Sequence, residues 1–303
     1  MLTTSTRPPL QSILRAHGLW LENAATGRRA DLSGMTLNDF DLVGVNLSQA
    51  ILTGATLLDA NLAAADLSAA RLERSDLGRA NLSGADLTAA VLHHTVCAGA
   101  WLDAANLSET KATGGSFKKA RLTKARMQDA SVQDCSFVQV VAAGASFHQA
   151  HFYDVDFAES TLDQAVFYHA CLQHTRFVGV SAIGAVFQGS KIDHCDFSRA
   201  GLFQAKFTRA EIVQCIFRHA DLRECDFRET RLRGGDFSNA VLAGARFEGA
   251  QLSTADFRGA NLHGARDLTP AQLSQALTDQ GTTLPNGSRG PYFRNSGAEK
   301  PRA

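Results

Sequence analysis

The sequence predicts an all-β fold, a solenoid whose chain turns every five residues and winds around its own core. Three observations carry this. From Leu32 to Leu262 every fifth residue is a centre, 47 in all, and 39 of these are Leu or Phe with no insertion to break the phase. Two residues before each centre stands a second position, mostly small, as at Ala50, Ala55, Ala60 and Ala65. A period of five fits neither helix nor strand, so it must belong to a repeating coil.

The order within each unit follows from alternation. Two residues separated by one point to the same side of an extended segment, so the Ala and the Leu of Ala-Asp-Leu both face inward and the Asp faces out. The tetrapeptide Leu-Ser-Gly-Ala that follows suits a tight turn, with Gly where φ is positive. Eight centres depart from Leu and Phe: Cys97, Ala112, Met127, Val132, Ala142, Ala182, Ile192 and Ile212, all apolar or small. At the small position Met35 and Phe40 are bulky, and both lie near the start. A second period is written in Phe. Fourteen of the fifteen Phe centres fall at alternate units, from Phe117 to Phe257, and only Phe152 falls between them. Large and smaller centres therefore alternate, which requires an even number of units per coil.

The consensus A(D/N)LSG, as in Ala80-Asn81-Leu82-Ser83-Gly84, resembles the pentapeptide repeat family over residues 30–265. That resemblance implies a right-handed quadrilateral parallel β-helix of about 12 four-sided coils, with 20 residues per coil and a rise of about 4.8 Å. It implies two Phe ladders on opposite faces, Phe117 to Phe257 and Phe147 to Phe247.

Solenoid ends need caps, because the last coil on each side buries only one face. Residues 1–29 contain an apolar stretch at helical spacing, Leu10 to Leu21, expected to form a helical cap with Trp20 over the first coil. After Ala265 the period stops. Thr269-Pro270 pairs an N-cap residue with Pro at the first helical position, so a helix of about ten residues is expected within 266–281. Similar LTPxQL segments close other members of the family. Residues 282–303, rich in Gly, Pro, Ser and charge, are expected to be a flexible tail.

Composition narrows the function classes. Lys and Arg total 30, as do Asp and Glu, so nothing favours a general polyanion binder. No signal-peptide pattern and no membrane-spanning run is expected. The six Cys lack CxxC spacing, which points to neither zinc nor a disulfide framework. A reducing cytosol is the default location, with non-classical secretion left open. No catalytic or nucleotide-binding motif occurs, and no long loop interrupts the repeat to build a pocket, so no enzyme, cofactor or metal is expected.

Function must then lie on the outward residues. With positions 20 apart stacked, His151, Tyr153, His174 and His194 share one face, and His148, Tyr168 and His169 lie around the next corner. The column Asp134, Asp154, His174, His194 could supply metal ligands, but in-register rungs splay, so the expectation is a protein-contact surface. A different face is apolar: Trp101, Val141, Ala143, Ile183, Phe203, Val241 and Ala243 point outward, a second candidate interface and a route to a homodimer. Residues 30–110 carry ten acidic and three basic side chains, and residues 111–126 then carry six basic ones.

Three functional readings follow. The first is a non-enzymatic protein–protein interaction scaffold with a protein partner, no direct nucleic acid contact and no membrane span. The second comes from the resemblance: some family members mimic duplex DNA and bind DNA gyrase, a type II topoisomerase. That mechanism wants an acidic surface, which here only the N-terminal third supplies. The third, also from the resemblance, is a secreted bacterial effector.

Overall fold

The computed structural model describes residues 9–301. From residue 31 to 266 each face position bridges the residue 20 further on, in parallel, as in Asp31–Ile51 and Arg246–Arg266. Four units therefore make one coil, and the rod has four faces. We name them by the residues of one coil: the Lys111, Ser116, Arg121 and Arg126 faces. On the Lys111 face seven three-residue strands form a regular ladder: β1 (Lys111–Thr113), β2 (Ser131–Gln133), β3 (His151–Tyr153), β4 (Cys171–Gln173), β5 (Lys191–Asp193), β6 (Glu211–Val213) and β7 (Arg231–Arg233). That ladder spans six coil-to-coil steps; the other coils continue the same register through isolated bridges.

One unit shows how five residues suffice. Leu32 donates its N–H to the Ile51 carbonyl at 2.7 Å, and Ile51 donates back to Ala30 at 3.0 Å. Met35 then donates to the Leu32 carbonyl at 3.0 Å, closing a turn in which Gly34 has φ of +61°. A positive φ at the second turn residue marks a type II turn. The turn is tightest when the following residue is small. Beside Ala its closing bond is mostly 2.9–3.1 Å, whereas Thr95, Thr110, Val140 and Val180 stretch it to 3.3–3.4 Å. At the corner after β1–β7 stand Gly115, Cys135, Val155, Thr175, Cys195, Cys215 and Gly235, and none of these seven residues makes the closing bond. Five of the seven are larger than Ala, but Gly115 and Gly235 are not, so size alone does not open this corner. The corner opens, the chain stays extended for one more residue, and a true strand results.

The core is one continuous column of the centre and small positions, nearly all below 5% exposure. The Phe ladders form on the Ser116 and Arg126 faces. Successive rings in a ladder lie 4.5–5.4 Å apart, and rings of opposite ladders meet edge to face, as Phe177 and Phe187 do at 6.3 Å and 87°. Both are favoured ring geometries. Phe152 adds a ring between the ladders, 5.5 Å from Phe157 and 5.6 Å from Phe147. Ala142, ten residues earlier and so on the opposite face, leaves the volume it needs.

The caps differ in detail from the expectations. Helix α1 (Leu10–Glu22) lays Leu10, Ile13, Leu14 and His17 on the first coil. Trp20 does not cover the core; it is half-buried and stacks on His17 at 5.6 Å. His17 occupies the covering site because it continues the stripe of Leu10, Ile13 and Leu14, one turn nearer the core than Trp20. Its Nδ1 accepts the N–H of Ala30 at 3.1 Å, a donor on the open edge of the first coil. Gly27 lets the chain cross the helix closely: a Cβ there would stand 2.1 Å from the Trp20 nitrogen.

Helix α2 (Pro270–Gln275) is six residues long rather than about ten. Thr269 and Gln272 form a capping box, and the Gln272 side chain donates to the carbonyls of Phe247 and Ala250 at 2.9 and 2.8 Å. The helix stops early because the chain returns to the coil. Leu277 pairs with Asp256 and Thr283 with Asn261. The segment expected to be a flexible tail instead folds back onto the last coil, with Thr282, Leu284, Ala298 and Glu299 buried and Tyr292 against the core. Composition misled here because a few apolar residues suffice when the last coil offers a ready-made apolar end. Residues 1–8 and 302–303, which the expected terminal segments include, lie outside the described residues.

Candidate protein-interaction surface

Much of the polar surface serves the coil itself. An Asp or Asn just before a centre accepts the N–H two residues on, as Asp66 does from Ser68 at 2.9 Å and Asn81 from Ser83 at 3.1 Å. That local bond explains why the repeat favours these residues there. Many Arg side chains are likewise spent within one coil or between neighbours, in Arg228–Asp226, Arg258–Asp256, Arg176–Asp156 and Arg79–Asp59. Side chains with no such duty are the candidates for function.

The His and Tyr residues meet that condition across one edge of the rod. On the Lys111 face His151, Tyr153 (43% exposed), His174 and His194 are all exposed. Tyr153 meets His174 edge to face at 5.6 Å, and His174 stacks on His194 at 5.2 Å. Around the corner, on the Arg126 face, His148 and Tyr168 stack at 5.3 Å with planes 5° apart. Tyr168 then meets His169 at 4.2 Å, and His169 lies over Gly189 with its Nδ1 3.1 Å from that carbonyl. The structure thus brings Tyr153, His174 and His194 into one contact chain and His148, Tyr168 and His169 into another, on either side of one corner. His151 shares the first face, paired in register with Cys171. His194 Nδ1 turns to Asp193, 2.8 Å away. Stacked rings point in parallel, and among the described residues no three His, Cys, Asp or Glu side chains are grouped to hold a metal.

The apolar candidates lie on the opposite, Arg121, face. They do not form one stripe. Trp101 and Phe203 are five coils apart, and each ring has an Arg from the next coil over it: Arg121 at 5.7 Å and Arg223 at 5.6 Å. Trp101 remains 50% exposed, Ile183 45% and Val141 42%, whereas Phe203 is partly buried. The covering Arg residues stand exactly one coil on from the rings, a signal the 20-residue register makes readable.

Thiols are mostly internal. Cys97 is buried and its thiol is pushed up to about 12 by that burial. Burial also raises Cys195 and Cys225 well above the ordinary thiol value. Cys195 and Cys215 stack one coil apart, the Cys195 N–H lying 3.4 Å from the Cys215 sulfur. Concavities are shallow; one of about 440 Å3 follows a corner past Gln164, Gln204 and Glu224 and is lined by both Lys206 and Asp226. No helix among the described residues is long and apolar enough to cross a membrane.

Geometry defines the class first: a four-sided parallel β-solenoid built of five-residue units, with its free side chains on flat outer faces. The chain belongs to the pentapeptide-repeat family. A family model described as a pentapeptide repeat region matches residues 110–187 and 130–207. A second, described as pentapeptide repeats in eight copies, matches 28–62, 41–79, 65–96, 200–239 and 236–266. Among solved structures the chain is similar to HetL, a pentapeptide repeat protein involved in heterocyst differentiation regulation from the cyanobacterium Nostoc sp. strain PCC 7120. Identity is 24% over 93% of this chain and 100% of that one, with a TM-score of 0.34. It is also similar to full-length QnrB1, a plasmid-mediated fluoroquinolone resistance protein, at 17% identity over 66% of this chain and 92% of that one, with a TM-score of 0.41. A pentapeptide repeat protein (Rfr23) from the cyanobacterium Cyanothece 51142 matches at 20% identity over 42% of this chain and 89% of that one, with a TM-score of 0.19. No curated protein sequence matches the chain.

Proposed function

We propose that this protein is a non-enzymatic interaction scaffold that engages a protein partner across the edge between its Lys111 and Arg126 faces. One observation carries the reading. Seven His and Tyr side chains are held at that edge within a few coils, on a rigid frame, with none of them packed in the core. Exposed Tyr presents a large ring at little entropic cost, which suits a contact surface. The test compares affinity capture from extract of the source cells by the wild type and by Tyr153→Ala/Tyr168→Ala. A partner retained by the wild type and lost by the variant supports the reading. Equal capture by both removes this edge from consideration.

The topoisomerase reading rests on the acidic N-terminal coils alone, and several of those carboxylates, such as Asp66, Asp76 and Asp86, are engaged with their own backbone. A DNA gyrase supercoiling assay with and without a quinolone separates it from the first reading: protection by micromolar protein would favour it. The effector reading rests on the family resemblance alone, and the segment after residue 281 is tied to the last coil through Thr282, Leu284 and Ala298.

A further inference from the structure

Two clusters of opposite charge flank the Arg121 face and form no ion pair among the described residues. Lys118, Lys119 and Lys124 are exposed on the Ser116 and Arg121 faces and their corners, and form no ion pair among the described residues, whereas Arg121 between them is bound to Asp103. Toward the N-terminus, around the same corner, Asp39 and Asp41 are exposed and equally without an ion pair among the described residues. Asp39 and Lys119 are four coils apart, about 19 Å along the rod, too far to pair within one chain. Exposed apolar side chains accompany both clusters: Phe40 (43%) and Val43 (55%) beside the acids, Trp101 (50%) and Val141 (42%) beside the cations.

The two clusters are also symmetric about a point. Asp41 and Arg121 each lie two coils from Asn81, one on either side. The Arg121 face between them is smooth, with Asn61, Ala63 and Ser83 on it. We propose that a second copy of this chain docks antiparallel along the Arg121 face, with the two-fold axis at Asn81. Asp39 of each copy then faces the Lys119 side chain of the other, twice over, as an isologous interface demands, with Asp41 and Lys124 flanking that contact. Trp101 of each copy, one coil from the axis, meets the small residues at Asn61 and Ala63, one coil on the other side. Charge complementarity with itself selects a second copy over an unrelated acidic surface, because one operation satisfies both clusters at once.

Charge exchange tests this. Asp39→Lys/Asp41→Lys and Lys119→Glu/Lys124→Glu each set like charges against like at both ends of the interface. By sedimentation equilibrium the wild type is expected to dimerise at micromolar concentration, more weakly at high salt. Each variant alone is expected to dissociate at least about tenfold more readily, and an equimolar mixture of the two is expected to regain a dimer, because each acid-to-base exchange then meets its complement. Carbodiimide cross-linking of the wild-type dimer, mapped by mass spectrometry, needs no variant: it is expected to join Asp39 or Asp41 of one copy to Lys119 or Lys124 of the other. A wild type that stays monomeric, a dimer indifferent to both exchanges, a mixture that does not recover, or cross-links elsewhere each overturns the proposal. The His and Tyr edge is on other faces, so partner capture through it is unaffected by either exchange.

Discussion

Phe177 and Phe197, twenty residues apart, stack with ring centroids 4.6 Å apart and planes 4° apart. Each ring also takes the edge of Phe187 from the opposite ladder, at 6.3 and 5.8 Å. A side chain so placed is supported from above, below and across. Phe177→Ala is therefore expected to cost about 3–5 kcal/mol, while Phe177→Leu, which keeps most of the volume, is expected to cost less. Chemical unfolding followed by circular dichroism checks this. An Ala variant within about 1 kcal/mol of the wild type would mean that the ladder relaxes around the loss.

Gly27 and Gly54 are expected to respond to Ala in different ways. At Gly54, with φ of +67°, an added Cβ meets nothing within 4 Å, so the change costs only backbone strain, about 1–2 kcal/mol. At Gly27 the Cβ would collide with the backbone of Trp20 and Ala16, at 2.1 and 2.4 Å. Gly27→Ala is expected to undock α1 and raise hydrogen exchange at Leu32 and Leu37, whereas Gly54→Ala leaves the cap protected. Equal protection in both variants would refute the close crossing.

His17 predicts a pH dependence of the N-terminal cap. Burial is the main cause holding its pKa below the ordinary 6.5; the nearby Arg29 charge adds to this and the Ser48 backbone opposes it. The folded protein therefore keeps the ring neutral, consistent with its Nδ1 accepting from Ala30. As pH falls through 6.5 the unfolded chain takes up a proton before the folded one, so stability is lost below about 6.5 and is insensitive to this group above it. The unfolding midpoint is expected to drop between pH 7.5 and pH 5 by more in the wild type than in His17→Gln. Parallel slopes would assign the acid sensitivity to other groups.

Thiol labelling reads the core directly. Cys171 is partly exposed on β4, whereas Cys97, Cys135, Cys195, Cys215 and Cys225 are buried. One thiol is expected to react quickly in the native protein and five only after unfolding, since a buried thiol offers the reagent no access. Fast labelling at Cys195 or Cys215 would show that the corner opens in solution.

The fold was legible because period and polarity coincide. Inward positions recur every five residues from Leu32 to Leu262, the alternation of Phe centres requires a coil with an even number of units, and the family resemblance sets that number at four. The Phe ladders were equally legible, since a strict register stacks equal numbers. The candidate surface was readable as columns but not as contacts: the register puts Arg121 and Arg223 one coil on from Trp101 and Phe203, but side-chain conformation decides that they lie over those rings.

The sequence by itself determined the coil, its register, the order of its core and which side chains face out, because each is set by local alternation repeated without slippage. Only the tertiary structure decided the ends and the partners of surface groups. Whether His17 or Trp20 seals the first coil, where α2 stops, and how the segment after residue 281 packs all depend on the shape of an exposed coil end, which no local pattern encodes. The same holds for Lys119 and Asp39: that they form no ion pair with each other is a fact of distance along the assembled rod.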